Sequence, residues 1–341
     1  MTFHQRIASA LIVVGAVLLA SCSSTSKSTP ATPTPKELFI NYTAIGASDA
    51  VGYGASVPCT TATPAEGPAD PTCPEVGASG YVPDIRTDFA KYGLIASLQD
   101  LGYSGAVIGP DIQTLANTYD SAAGPNACQP RPPADQYPEN FLQYELPKVN
   151  PNATFITIFA GGNDINGIVN ALACGAGGMT TATQTAFITT WVTNFGHDFA
   201  TLVGGVHEEA PGAIIIVAND PNFALVPYAA ALPAPLQGAL AAISIAFDQD
   251  VINTVPADGV PVVDLLCNPQ SYNPANFYTD GFHPNDTGYA LLAAQFVGQA
   301  LATAPALPQS SCTYAPAAAA AKLRQAVPVG KPLSAYLRHN I

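Results

Sequence analysis

Four short runs of apolar, mostly β-branched or aromatic residues recur along the chain: 38–46 (LFINYTAIG), 153–161 (ATFITIFAG), 213–219 (AIIIVAN) and 260–266 (VPVVDLL). Each carries four to eight core residues and closes at or near Gly, Asn or Asp, the pattern of a buried strand rather than a helix. The segments between them have helical spacing: 82–102, where Ile85, Phe89, Tyr92 and Ile95 to Ala96 recur on one face, then 140–149, 183–205 and 236–255. After His283, Asn285 and Asp286 open a last periodic stretch, so a helix is expected to begin near Asp286. Strands alternating with helices predict an α/β domain whose parallel central sheet is covered on both faces. No internal repeat interrupts the pattern and no second domain follows it.

Two segments fit neither element, residues 55–80 and roughly 111–138. Loops of that length inside a domain of this kind usually bind or cover something. The cysteines they hold argue for ordered loops. Only 10% of the 341 residues are charged, against roughly 25% in an average soluble domain, while 32 Pro and 28 Gly stiffen and bend the loops. The net charge of −13 excludes nucleic acid and other polyanions as partners, since no basic stripe offsets it.

The N-terminus reads as a targeting segment, with one arginine in MTFHQR, an apolar run IASALIVVGAVLLA too short to span a bilayer comfortably, and small residues after it. Leu19-Ala20-Ser21-Cys22 resembles a bacterial lipobox, in which the cysteine is lipidated and becomes the new terminus. An ordinary secretory signal with an incidental Cys22 is the alternative. The Ser/Thr/Pro-rich stretch that follows favours a tether. The expected organisation is a leader over 1–21, a tether over 22–37, a catalytic domain over 38–312 and a tail over 313–341, held at the cell envelope by a lipid anchor and acting as a monomer. Setting Cys22 aside leaves six cysteines, an even number suited to an oxidising compartment. Of fifteen pairings, proximity along the chain suggests Cys59 with Cys73, Cys128 with Cys174 and Cys267 with Cys312. No C-x-x-C or clustered Cys/His spacing offers zinc a site.

Ser48, in IGASDAVGYG directly after the first strand, is the first candidate for chemistry. A serine hydroxyl needs a base to take its proton. Among the histidines beyond the leader, His197 and His207 lie in helical stretches and read as surface residues, and His339 stands three residues from the C-terminal end of the sequence. His283 differs, because Asp280-Gly-Phe-His283-Pro-Asn sets a carboxylate three positions before an imidazole in a turn leading into a helix. There the acid can fix the ring tautomer and leave the other nitrogen for Ser48; a capping acid beside a solvated histidine is the plainer alternative. Gly161-Gly162-Asn163 follows a strand where backbone can approach a ligand and an uncharged amide can donate. Gly105, in YSGAV, could add a backbone N–H.

Taken together, Ser48 in GASD, Gly105 in YSGAV, Asn163 in GGND, and Asp280 with His283 in DGFHP resemble, in order, the four blocks of the SGNH or GDSL-type esterases and lipases. The resemblance covers residues 38 to 302. It implies a flavodoxin-like three-layer α/β/α sandwich and a serine esterase that forms an acyl-enzyme. Ser48 would be the nucleophile, His283 the base and Asp280 its orienter. The N–H groups of Ser48 and Gly105 and the Asn163 amide would form the oxyanion hole, with Asp49, Gly161 and Gly162 as structural neighbours. Ala47 stands where the nickname motif has an acid, and Gln99 and Asp100 are the polar residues nearest the second block. The α/β-hydrolase elbow G-x-S-x-G fails at Ala50. No metal or organic cofactor is implied, and relatives with these blocks act on polysaccharide acyl groups, short-chain esters and lipids. A glycan- or lipid-binding protein that keeps the fold without catalysis, and an acyltransferase, are the alternative readings.

Overall fold

The structure is a computed structural model and describes residues 38–60, 68–70, 77–119, 128, 130, 136–137, 139–178 and 180–315. The leader, Cys22, the tether, Cys73, His339, parts of both long loops and the tail from 316 lie outside the described residues.

Five strands form one fully parallel sheet: β1 (Leu38–Gly46), β2 (Leu94–Asp100), β3 (Phe155–Phe159), β4 (Ile214–Ala218) and β5 (Val262–Val263), in the order β2-β1-β3-β4-β5. This is the flavodoxin-like order, and strand alternation sends side chains to both faces. Tyr42 and Ala44 of β1, Phe155 and Phe159 of β3, and Ile216 and Ala218 of β4 enter one apolar cluster. Ile45, Ile156, Ile158, Ile215 and Val217 enter the other. The first face is covered by α2 (Tyr81–Lys91) and α7 (Asp286–Leu301), whose Phe89, Tyr289 and Phe296 are fully buried. The second is covered by α3 (Pro110–Thr118), α4 (Gly162–Ala173), α5 (Thr181–Glu209) and α6 (Ala234–Ala246). A four-residue turn of helix, α1 (Ser48–Val51), starts at the serine singled out above. The expected three-layer α/β fold is what the chain adopts.

Helix periodicity misjudged one region. The stretch expected as a single helix over 82–102 is α2 followed by β2, because Gly93 takes φ 72° after Tyr92 and turns the chain back. Residues 94–100 then pair with β1 from Leu38↔Leu94 to Ala44↔Asp100, so strand pairing overrode the helical pattern. The loop expected from residue 111 begins instead with α3, which has Pro110 at its first turn. The expected helix at 140–149 is a π turn over Phe141–Glu145 and a 3-10 turn over Leu146–Lys148. The one at 236–255 is α6 continued by π and 3-10 turns. Helix α7 begins at Asp286 as expected, capped by Asn285, whose side chain accepts from the N–H groups of Thr287 and Gly288.

Disulfides join Cys128 to Cys174 and Cys267 to Cys312, both as proximity suggested. Cys59 is disulfide-bonded as well, and its expected partner is outside the described residues.

Candidate active site

The strand order reverses between β1 and β3, and in such sheets the carboxyl ends of the two strands at the reversal leave a crevice for a ligand. Ser48 leaves the end of β1 and Asn163 the end of β3. Their loops are held from beneath by buried acids. The Gly46 N–H donates to Glu145 Oε2 at 2.9 Å, that of Gly102 to Asp100 Oδ1 at 2.9 Å, and that of Ile108 to Asp164 Oδ1 at 2.9 Å. Burial pushes all three carboxyls up, Asp100 to about 7 and Asp164 to about 8, against the opposing pull of those N–H bonds.

His283 arrives from the other end of the chain. Its loop is shaped by a bond from the Tyr278 N–H to the His283 carbonyl at 2.8 Å, and by Tyr228, whose N–H donates to the Gly281 carbonyl at 2.9 Å. Helix α7 then ties this end to the serine loop: the Tyr289 hydroxyl donates to the Tyr53 carbonyl at 2.6 Å, and the Ser56 N–H to Asp286 Oδ1 at 2.7 Å. The result is one hydrogen-bonded line. Ser48 Oγ lies 2.8 Å from His283 Nε2, and His283 Nδ1 lies 2.7 Å from Asp280 Oδ2. Asp280 Oδ1 accepts the N–H groups of Phe282 and His283 at 2.9 and 3.0 Å. Burial acts to raise the Asp280 carboxyl, but the bonds from the imidazole and the two backbone N–H groups outweigh it, and the net shift is downward. Asp280 is therefore an acceptor at neutral pH, which assigns the proton to Nδ1 and leaves Nε2 to accept from the serine. The Tyr53 ring packs 4.4 Å from the imidazole.

Ser48 is 4% exposed and lines a mainly apolar cavity of about 80 Å³. The walls include Phe141, Phe159, Phe223 and Phe282 together with Leu265, Leu291 and Leu292. Asn163 lines it too. Its Nδ2 donates to the Ala106 carbonyl at 2.9 Å, which orients the amide and, among the described residues, leaves its second N–H unspent. Gly105 precedes Ala106 in the turn after β2, and among the described residues no internal hydrogen bond claims its N–H or that of Ser48. Asp49 lines the cavity beside Ser48; its carboxyl is raised, by burial first, against the pull of His283. Gly161 and Gly162 line it as well, while His197 and His207 stand exposed on α5. Among the described residues no group of three or more His, Cys, Asp or Glu is arranged to hold a metal.

The matching of sequence to family models decides the kinship: residues 65–291, well over half the chain, match the GDSL-like lipase/acylhydrolase family. The chain belongs to the GDSL-like lipase/acylhydrolase family. As a member of that family it is an ester-bond hydrolase. The matched stretch begins after Ser48, so it is the geometry that brings this serine to His283. Solved structures similar to this GDSL-like hydrolase include an extracellular lipase from Streptomyces rimosus, at 16% identity and TM-score 0.47 over 76% of this chain and 99% of that one. A phospholipase A1 from Streptomyces albidoflavus has 16% identity and TM-score 0.46 over 77% and 99%. An acetyl xylan esterase from Geobacillus stearothermophilus has 15% identity and TM-score 0.42 over 76% and 93%. No curated protein is a significant sequence match.

Several participants escaped the sequence reading: Tyr53 against the imidazole, Glu145 under Gly46, and Asp220 in the cavity wall. Asp220 alone carried a signal, an acid two residues past a buried strand at the sheet's carboxyl edge.

Proposed function

We propose that this chain hydrolyses carboxylic esters through an acyl-enzyme, with Ser48 as nucleophile, His283 as general base and acid, and Asp280 as the residue that orients the imidazole. The observation that carries the reading is the continuous hydrogen-bonded line Ser48–His283–Asp280, whose first two members stand 235 positions apart and whose last two stand 3 apart, at the wall of a mainly apolar cavity. Ser48 Oγ adds to the ester carbonyl carbon as Nε2 takes its proton. The carbon–oxygen bond to the alcohol breaks as the imidazolium returns that proton to the leaving oxygen. Water then attacks the acyl-serine with the same base, releasing the acid and restoring Ser48. The oxyanion of each tetrahedral intermediate is held by the N–H groups of Ser48 and Gly105 and by the unspent N–H of Asn163. Every group in this scheme belongs to the chain itself.

A fluorophosphonate probe tests it. The purified wild type takes the label and hydrolyses p-nitrophenyl esters, and Ser48→Ala loses both. Label retained by Ser48→Ala, or ester turnover indifferent to that substitution, overturns the assignment.

We further propose that Cys22 is the lipid-anchored terminus of a cell-envelope protein. The disulfides of the described domain fit the oxidising compartment this requires. Mass spectrometry of the membrane-extracted protein shows a lipidated Cys22 if this is right, and an unmodified thiol or an absent residue 22 if it is wrong.

A further inference from the structure

Among the described residues five buried carboxyls keep an oxygen that finds no partner: Asp100, Glu145, Asp164, Asp220 and Asp248. Four of them have a task, because one oxygen of each holds a backbone N–H: Gly102 for Asp100, Gly46 for Glu145, Ile108 for Asp164 and Asp220 for Asp248. Asp220 is the exception. It is 1% exposed, neither of its oxygens has a partner among the described residues, and it alone of the five lines the cavity that holds Ser48. A buried polar group without a partner is costly, and native structures seldom keep one without a use.

Its surroundings aim it into the cavity. The Asp220 N–H donates to Asp248 Oδ1 at 2.9 Å, which pins its backbone at the end of β4. On the neighbouring β3 loop Gly161 adopts φ 136°, and a methyl there would overlap Asp220 Oδ2. The glycine therefore does two things at once, permitting a conformation that side chains rarely adopt and leaving room for the carboxyl against the turn that carries Asn163. The cavity it lines is mainly apolar, with Phe159, Phe223 and Phe282 in its walls and Pro221 next to Asp220 in sequence. A few polar groups in a mainly apolar pocket fix orientation and select one kind of ligand, and Asp220 is the buried carboxyl of this lining whose two oxygens are both unpaired among the described residues.

We propose that Asp220 is a substrate-binding residue, and that its carboxyl takes a hydrogen bond to a hydroxyl group carried by the ester at a position away from the scissile bond. The proposal rests on Ser48 being the nucleophile of the same cavity. Burial, then the negative charges of Asp164 and Asp49, push the Asp220 carboxyl well above the ordinary carboxylate range. Asp248, bonded to its N–H, is likewise raised by burial and by Asp220. Asp220 thus stands as the neutral acid, with an O–H to donate and a carbonyl oxygen to accept, the complement of an alcohol O–H. A site built this way discriminates strongly against the analogue that lacks the hydroxyl, since the acid is then left unpaired.

The test compares matched pairs of esters on the full chain: p-nitrophenyl butyrate with p-nitrophenyl 3-hydroxybutyrate, and butyl butyrate with 3-hydroxybutyl butyrate. Wild type, Asp220→Leu and Asp220→Asn are measured, with thermal unfolding of each. Asp220→Leu is expected to cut the wild-type preference for the hydroxylated member of at least one pair by about tenfold or more. The loss falls mainly on the KM of the hydroxylated member. Asp220→Asn, which still donates and accepts, retains part of the preference. If Asp220→Leu does not fold, Asp220→Ser carries the comparison with Asp220→Asn. Unchanged ratios in both pairs overturn the proposal, even where Ser48→Ala abolishes all turnover. Turnover that survives Ser48→Ala instead strikes the nucleophile assignment, so the two failures are told apart.

Discussion

Asp280 and His283 are joined twice: the carboxylate takes the imidazole Nδ1–H at 2.7 Å, and its second oxygen takes the His283 backbone N–H at 3.0 Å. The turn and the ring are thereby set by one side chain. Asp280→Asn separates these functions. The amide oxygen can keep the backbone bonds, but a neutral amide no longer holds the proton on Nδ1. We expect kcat to fall roughly 10³–10⁴-fold with little change in thermal stability. Progress curves at saturating ester check the first and calorimetry the second; a fall of less than about tenfold contradicts the orienting role.

Asn163 spends one N–H of its amide on the Ala106 carbonyl at 2.9 Å, which aims the other. Removing one donor from an oxyanion hole typically costs about 10²–10³ in kcat. Asn163→Ala is expected to show that loss in kcat with KM nearly unchanged, because the donor acts on a charge that develops only in the transition state. A variant that raised KM and spared kcat would make Asn163 a binding residue instead.

The legibility of this chain was uneven, and for physical reasons. β1, β3 and β4 were readable because both faces are buried over most of their length, through YTAIG at the end of β1 and all of FITIF, so these runs had to be compatible with a core. β2 was not, since Ile85, Phe89 and Ile95 share a helical period and only the turn at Gly93 breaks it. Asp280 and His283 were readable because the pair is local, three residues apart. Glu145 and Tyr53 act across long separations, Glu145 on a backbone N–H 99 positions away and Tyr53 on the ring of His283, and no local pattern marks a residue whose partner is so distant.

Burial without a cation makes the fold sensitive to base. Asp100 and Asp164 keep their protons to about 7 and about 8 when folded, whereas in the unfolded chain an Asp loses its proton near pH 3.9. The folded state therefore binds more protons between those values, and stability is lost as pH rises through that window, by up to about 1.4 kcal/mol per unit for each group. The melting temperature is expected to be lower at pH 8 than at pH 5. In Asp164→Asn, which has no such proton to lose, the drop should shrink measurably. A melting temperature that is level or rises from pH 5 to pH 8 in the wild type would show that these carboxyls are ionised in the folded protein.

The Cys267–Cys312 bond closes a loop of sequence separation 45 and holds the segment that carries Tyr314. There Tyr314 stacks on Tyr272 at 4.2 Å, and its carbonyl accepts from Asn222 Nδ2 at 2.8 Å, two residues beyond Asp220. Cross-linking a loop of this length disfavours the unfolded chain by about 4 kcal/mol in the chain-entropy model. The paired substitution Cys267→Ala with Cys312→Ala leaves no stray thiol and is expected to remove most of that stability. It should also loosen Asn222 and, through it, the Asp220 wall. Urea unfolding monitored at the tyrosines reads the first effect, and a rise in KM larger than any fall in kcat reads the second. If stability falls with KM unchanged, this bond serves the fold alone.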